Sequence, residues 1–307
     1  RYVIGMVGAA ALAWREAATI IMLSRTTRRV LLLRRGRTAA FMPNALVFPG
    51  GVVHTEPEIE ETGREAAMRE LFEETGVLCM EGEEMRLATD CPRTESWQNK
   101  VNEKGAPKDK LRQLLGDKRR LDTSSLVNWS TWLTPNAGHY KRRYMTDFFV
   151  LPVDGEPAIR PCSREMAGAE WCDPRNVLKE AHAGTESVPP PQQYELNRLK
   201  DVEPDDLASH CIRKVLFPQL VKTEIEGGEE IMCNLLPGDY QYIMERPGQF
   251  NQGTRRMRAD EILKPDDDKP LHRLTYLANP LYAKCKIDIR GVNPLDLEEI
   301  NSSILQV

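Results

Sequence analysis

The chain has 307 residues, 41% of them hydrophobic and 29% charged, enough for one large domain or for a catalytic domain with a substantial extension. Its formal net charge of −4 lacks the basic excess through which proteins on polyanions gain most of their affinity, so no nucleic-acid partner is expected. Seven cysteines, an odd number with no CxxC pair, argue against a disulfide framework and a thiolate zinc site and fit a reducing intracellular compartment.

The sequence begins at Arg1, and Tyr2–Trp14 is apolar and rich in Gly and Ala. A bilayer span needs about 20 apolar residues, so no stable membrane insertion is expected from this stretch. It reads either as the remnant of a targeting segment or as a helix packed on the domain, and residues 1–14 are set apart on that account. Ala17–Ser24 and Val30–Arg34 then read as two strands around the polar turn Arg25–Arg29, because apolar and β-branched residues are bounded by Thr and Arg clusters. Ala45–Phe48 is a third strand, stopped by Pro49-Gly50-Gly51. After an acidic loop comes a helix over Arg64–Thr75, and Gly76 beyond it is the usual stop.

Residues 81–126 are polar and helix-prone, with helices expected at Ser96–Glu103 and Lys108–Leu115, and read as a helical insertion. Asn128–Pro135 leads into a strand over Arg143–Val153, followed by a short strand starting at Glu170–Cys172 and a helix from Pro174 to Glu180. Pro189-Pro190-Pro191 is a stiff break, and the boundary of a C-terminal extension is placed there. In that extension Pro204–Leu220 reads as a helix, and Gly227-Gly228 marks a hairpin between Lys222–Glu226 and Glu229–Asn234. Leu271–Leu277 and Leu281–Arg290 read as strands. The expected division is a catalytic domain at 15–190 and an α+β extension at 191–307.

The chemistry is concentrated in Arg69-Glu70-Leu71-Phe72-Glu73-Glu74-Thr75-Gly76-Val77. On a helix Glu70, Glu73 and Glu74 stand at i, i+3 and i+4 and share a face. Crowded carboxylates repel one another unless cations bridge them, and hard divalent cations such as Mg²⁺ take oxygen ligands, waters and substrate phosphates. Taken alone, such a cluster is more often a solvated face of an amphipathic helix. Its context includes Glu61, eight residues before Arg69, and the strand-to-loop turn Phe48-Pro49-Gly50-Gly51.

These residues resemble the Nudix hydrolases, whose pattern is G-x5-E-x7-R-E-U-x-E-E-x-G-U with U a bulky aliphatic residue. Glu61 through Val77 match without error, whereas Gly51 stands ten residues before Glu61 instead of six, so the loop Val52–Glu60 is expanded. The resemblance implies an α/β/α sandwich around a mixed sheet, with Glu70 and Glu74 as the main Mg²⁺ or Mn²⁺ ligands and Glu73 as ligand or base. It implies an ion pair that fixes the loop, from Arg69 to Glu61, and a further carboxylate from outside the box. Glu165 is the candidate for that carboxylate, with an exposed loop residue as the alternative.

A longer set of strings, Leu31–Arg35, Phe41-Met42-Pro43, Val47–Gly51, Asn128–Pro135, Pro189–Tyr194 and Leu235–Asp239, is similar to the peroxisomal acyl-coenzyme A diphosphatase type, Nudix motif nineteen. That likeness implies hydrolysis of coenzyme A or its acyl esters to 3′,5′-ADP and a 4′-phosphopantetheine product. Gly50 and Gly51 would admit the diphosphate. Among Arg34, Arg35 and Arg37, and Lys141, Arg142 and Arg143, guanidinium groups match phosphate geometry, although both clusters also fit solvated turns. Lys108–Arg120 reads as a solvated helix face. Trp129 and Trp132 line an acyl or adenine pocket or, more commonly for such a pair, pack in the core. The histidines show no ligand spacing, and His54 has no assigned role.

By resemblance the compartment is the peroxisome, with the mitochondrion as alternative, since Leu305-Gln306-Val307 is not a Ser-Lys-Leu type signal. Two other functions are compatible with the same motifs: a Nudix enzyme of ADP-ribose or dinucleoside type, and a binding module that keeps the fold without catalysis.

Overall fold

The computed structural model describes residues 14–39, 42–56, 59–135, 142–243 and 254–297. The expectations for most of the N-terminal apolar segment, for Phe41, Lys141 and the C-terminal tripeptide lie outside the described residues. Strand β1 (Trp14–Ser24) and β2 (Val30–Arg35) are followed by two short strands, β3 (Leu46–Val47) and β4 (Gly50–Val52), and by helix α1 (Gly63–Thr75). The insertion carries β5 (Val77–Leu78), β6 (Arg86–Leu87), α2 (Pro92–Val101) and α3 (Lys110–Leu115). Its ends are closed by a bridge from Met80 to Leu121. Strands β7 (Val127–Leu133), β8 (Arg143–Val153) and β9 (Met166–Cys172) then precede α4 (Pro174–Ala183) and α5 (Pro190–Leu199).

Strands β1–β4 and β7–β9 belong to one mixed sheet, while β5 and β6 pair apart from it. β1 and β8 run parallel along their whole length, from Trp14 beside Arg143 to Ser24 beside Val153, while β2 and β4 pair antiparallel with β1. Both faces of the sheet are buried, which is why AATIIMLS reads as a continuous apolar run and not as an alternation. Ala18, Ile20, Met22, Phe149 and Leu151 face α1 through Ala66, Ala67 and Leu71. Ile21, Leu23, Val30, Leu32, Phe148 and Val150 face α4 and α5 through Val177, Ala181, Tyr194 and Leu196. The result is the expected α/β/α sandwich.

Prolines 189–191 do not break the structure. Pro190 opens α5, where the first turn has no use for an N–H, and Tyr194, Leu196 and Leu199 of that helix enter the first core. The helix expected over Pro204–Leu220 is absent. That stretch holds a 3₁₀ turn at Leu207–His210, then β10 (Val215–Leu216) and the start of β11 (Gln219–Glu224). β10 pairs parallel with β7, and the Ile212 N–H donates to the Trp129 carbonyl at 2.8 Å, so the edge of the first sheet draws the segment out straight. The chain therefore passes from the first sheet to the second between Leu216 and Gln219.

The second sheet is built from β11, β12 (Glu230–Leu235), β13 (Arg255–Arg256), β14 (Leu271–Leu277) and β15 (Lys286–Arg290), with helix α6 (Ala259–Leu263) against β11. The Gly227-Gly228 hairpin joins β11 to β12 as expected. β15 starts at Lys286 and not at Leu281, because Leu277–Ala283 turn back on themselves through the Leu277–Ala283 and Tyr282–Leu277 hydrogen bonds. Leu274 and Tyr276 of β14 join the core shared with α4 and α5.

The strings read as markers of the subfamily meet inside this core. Glu195, fully buried, accepts hydrogen bonds from Nε1 of Trp129 and of Trp132, both at 2.7 Å, from Ser130 Oγ at 2.6 Å and from Arg198 Nη1 at 2.6 Å. Trp129 and Trp132 are thus core residues that tie β7 to α5. His272 sits between Tyr194 and the Leu235–Asp239 string, its Nδ1 at 2.7 Å from the Pro237 carbonyl and its Nε2 at 2.6 Å from the Tyr194 hydroxyl. A carbonyl only accepts, so Nδ1 carries the proton and Tyr194 donates to Nε2. Asp239 takes a bidentate grip from Arg273 at 2.6 and 2.7 Å, both side chains fully buried, and also accepts the His272 and Gln241 N–H groups at 3.0 Å.

All seven cysteines are free. No helix among the described residues is long and apolar enough to cross a membrane.

Candidate active site

Helix α1 is held at both ends by its own sequence. Thr62 and Glu65 form a capping box at the start, and Gly76, at φ 73°, ends the helix with an N–H bond to the Phe72 carbonyl at 2.9 Å. Leu71 and Phe72 are fully buried on opposite sides, against the sheet and against the insertion, at roughly 1.5–3 kcal/mol each by burial alone. The insertion secures the helix further. Gln98 Nε2 and Asn102 Nδ2 on α2 donate to the Glu73 carbonyl at 3.3 and 2.8 Å, satisfying an acceptor in the last turn that the helix itself leaves free.

The carboxylates of the helix lie against the glycine turn. The Gly50 N–H donates to Glu74 Oε2 at 3.0 Å, and a Cβ at Gly51 would overlap the Glu70 carboxylate. A Cβ at Gly50 would strike the Ala18 carbonyl and Thr19 on β1. Close approach rather than backbone angle sets both positions, against the backbone of β1 at Gly50 and against the movable carboxylate of Glu70 at Gly51.

Arg69 organises the cluster. Its Nε and Nη2 bind the two oxygens of Glu61 at 2.7 and 3.1 Å, Nη2 also reaches the Val52 carbonyl at 3.0 Å, and Nη1 bonds Glu70 at 2.8 Å and Glu73 at 3.3 Å. The expanded loop is thereby pinned at both ends, since the His54 N–H donates to Glu61 Oε2 at 2.9 Å.

One guanidinium does not neutralise so many acids. Burial pushes the Glu73 carboxyl up to about 8, with the charge of Glu70 adding to it. Burial and the charge of Glu70 hold Glu74 well above the ordinary carboxylate range, and burial raises Glu70 against the pull of Arg69. Burial alone would lower Arg69, but its bonds to Glu61 and the charges of Glu70 and Glu73 raise it overall.

Of the sequence-predicted residues, Gly50, Gly51, Arg69, Glu70, Glu73 and Glu74 come together here. Glu165 lies near enough for its charge to raise both Glu70 and Glu74, and Arg35 near enough for its charge to lower Glu74. The Glu165 carbonyl accepts the Gly36 N–H at 2.9 Å, and Arg35 pairs with Met166 across β2 and β9, so these two share one corner. Arg34 is elsewhere engaged, with both Nη atoms on Glu186 at 2.8 and 3.0 Å. Arg143 is buried at the start of β8, its Nε on the Thr134 carbonyl at 3.1 Å. It pairs with Trp14, five residues along β1 from the Thr19–Gly50 pairing, about 16 Å at the rise of a strand. Gln98, Asn102 and the His54 amide were not legible, since no local pattern marks a partner found only through folding.

Among the described residues no three His, Cys, Asp or Glu side chains converge as a ready-made metal cage. The donors nonetheless fit a hard divalent cation. They are all carboxylate oxygens, are short of positive charge, and lie beside the glycine turn. Mg²⁺ in particular binds through one or two carboxylates and keeps several waters, so a full protein cage is not required.

Comparison with known proteins bears on the family and the fold. Residues 59–199 match the family model described as the NUDT19 Nudix domain. The chain is 40% identical over 294 residues to "Putative nudix hydrolase 7" of Caenorhabditis elegans, covering 95% of each chain. It is 26% identical over 348 residues to "Acyl-coenzyme A diphosphatase NUDT19" of Homo sapiens, covering 88% of this chain and 90% of that one. Among solved structures, a NUDIX hydrolase from Alicyclobacillus acidocaldarius superposes with a TM-score of 0.54 at 24% identity, over 66% of this chain and 98% of that one, which supports the fold.

Proposed function

This chain belongs to the Nudix hydrolase family and is an enzyme, and from that premise we propose that it hydrolyses the diphosphate of coenzyme A and its acyl esters with Mg²⁺ or Mn²⁺ as cofactor. The observation that carries the reaction is the packing of Glu70 and Glu74 against Gly50 and Gly51 around Arg69. The coenzyme A substrate is supported by the likeness along most of the chain to a relative named for that activity.

In this reading Glu70 and Glu74, with Glu73 and Glu165 beside them, hold the divalent cation. When bound, the cation neutralises the diphosphate and orients a water for in-line attack. Water adds to one phosphorus as the bridging P–O bond breaks, giving 3′,5′-ADP and 4′-phosphopantetheine or its acyl ester. Glu73, the most exposed of the three helix carboxylates, takes the proton of the water. Gly50 and Gly51 let the diphosphate approach the backbone, and Arg35 supplies positive charge from the Glu165 corner. Arg69 positions Glu70 and Glu73 and fixes the loop through Glu61. Arg34 and Arg143 act in the fold, through Glu186 and Thr134. The peroxisomal setting implied by the resemblance belongs to the same reading.

Mass spectrometry of the products from coenzyme A, palmitoyl-coenzyme A and ADP-ribose, each with Mg²⁺, tests it. 3′,5′-ADP from either coenzyme A species is the expected result. Turnover of ADP-ribose with both coenzymes intact would overturn the substrate, and no turnover of any would favour a binding module.

A further inference from the structure

Between α1 and the insertion lies a cavity of about 560 Å³, within the range that suits small-molecule ligands. It shares a wall with the carboxylate cluster, because Arg69 and Glu61 face it while Nη1 of Arg69 holds Glu70 and Glu73. Facing them, α3 and the turns on either side of it bring Lys108, Arg112 and Arg120 to the same space, beside the buried Leu115.

The cations there differ in their engagement. Lys108 is paired with Glu56 of the expanded loop. Arg119 stands over the Trp97 ring at 5.8 Å and 3.9 Å from Glu83. Arg112 and Arg120, by contrast, have no carboxylate within 4 Å among the described residues. The acids around the cavity do not cancel them. Glu61 is bound to Arg69, Glu65 closes the capping box, and Asp109 accepts the Gln113 amide at 2.9 Å. Glu60, Glu81 and Asp117 are exposed, as are Arg112 and Arg120, and none of these acids is within 4 Å of either guanidinium.

Resting on the coenzyme A reading above, we propose that this cavity is the subsite for the 3′-phosphate of the substrate, held by Arg112 and Arg120. A phosphomonoester carries close to two negative charges and three acceptor oxygens, and planar guanidinium forks match it. The 3′-phosphate and the scissile diphosphate hang from one ribose, so the two anion sites must adjoin, and Arg69 is the partition between them. Of the basic residues that the sequence offered for this task, Arg34 is held by Glu186 and Arg143 is buried at the far end of β8, while Arg35 lies beside Glu74 on the diphosphate side.

Coenzyme A and dephospho-coenzyme A differ only in this phosphate, and their hydrolysis by the full chain and by the Arg112→Ala/Arg120→Ala double variant reads the subsite directly. The preference in kcat/KM for coenzyme A should fall by about tenfold to a hundredfold in the double variant, mainly through KM, as two charge-assisted contacts are removed. Lysine at both positions should restore part of it. Arg93→Ala, on the exposed part of α2 outside the cavity, should keep the wild-type preference. An unchanged preference in the double variant, or an equal loss on both substrates, overturns the proposal.

Binding of 3′,5′-ADP and 5′-AMP by calorimetry separates this outcome from failure of the substrate reading. Tighter binding of 3′,5′-ADP that depends on Arg112 and Arg120 supports the subsite even if coenzyme A is left intact, in which case the substrate reading alone falls. Equal affinities in the wild-type chain overturn the subsite.

Discussion

Glu74 on α1 and Glu195 on α5 are both buried carboxylates in one domain, yet they are served very differently. Glu195 has four donors around it, two indoles, a hydroxyl and a guanidinium. Glu74 has, among the described residues, a single backbone N–H, from Gly50, and burial together with the charge of Glu70 pushes its carboxyl well above the ordinary carboxylate range. Asp239 repeats the first pattern, with Arg273 and two amides around its two oxygens. A buried polar group left short of partners costs free energy, so a fold retains one only where something else makes up the difference. The satisfied carboxylates hold elements together, and the deficient cluster is where the proposed cation and diphosphate would supply the missing partners.

The comparison breaks first, and by most, at Asp239. Asp239→Ala leaves Arg273 charged in a fully buried site and should lower stability by about 3–5 kcal/mol, read as a shift in the urea midpoint. A loss below about 1 kcal/mol would mean that the pair is not the anchor of the second sheet.

Glu74→Gln should do the reverse. It removes a carboxylate that is crowded in the fold, so the melting temperature should hold or rise, while turnover falls by about a hundredfold or more, some 3 kcal/mol of barrier. A normal rate would place Glu74 with Glu195 among the structural acids.

Gly51→Ala sharpens the contrast at smaller cost. The new methyl meets only the flexible end of Glu70, so folding should be nearly unaffected, but the carboxylate must leave its place and activity should drop by about tenfold. Steady-state rates beside a thermal melt check both halves.

The smallest effect concerns pH. Burial holds His272 below its ordinary 6.5, so the folded chain keeps it neutral where the unfolded chain would protonate it. Its contribution is present above about pH 6.5 and is lost as pH falls below that, with a slope of at most about 1.4 kcal/mol per pH unit for one proton. Melting temperatures at pH 7.5 and 5.5 should converge between the wild type and His272→Gln at the acid end.

The sequence by itself determined the acidic helix, its stop at Gly76 and the glycine turn before it, because each depends on spacing within one short segment. The grip of Arg69 on Glu61 was implied by the family resemblance, and the capping box of Thr62 and Glu65 came only with the structure. The sequence also determined β1, β2, β3 and β8 of the first sheet, whose apolar runs are bounded by turn residues, but not β4 or β10. Only the tertiary structure decided that Pro190 opens a helix rather than a linker, and that the stretch after Pro204 runs along a sheet edge. In both cases neighbours distant in sequence outweigh local preference.

The same holds for the side-chain partners. Nothing local says that two tryptophans and Arg198 converge on Glu195, that Gln98 and Asn102 cap the helix at Glu73, or that Arg34 is taken by Glu186 while Arg112 has no carboxylate within 4 Å among the described residues. A charge can be read from a letter, but its partner exists only once the chain has folded, and it is the partner that sets whether the charge binds substrate or holds the fold.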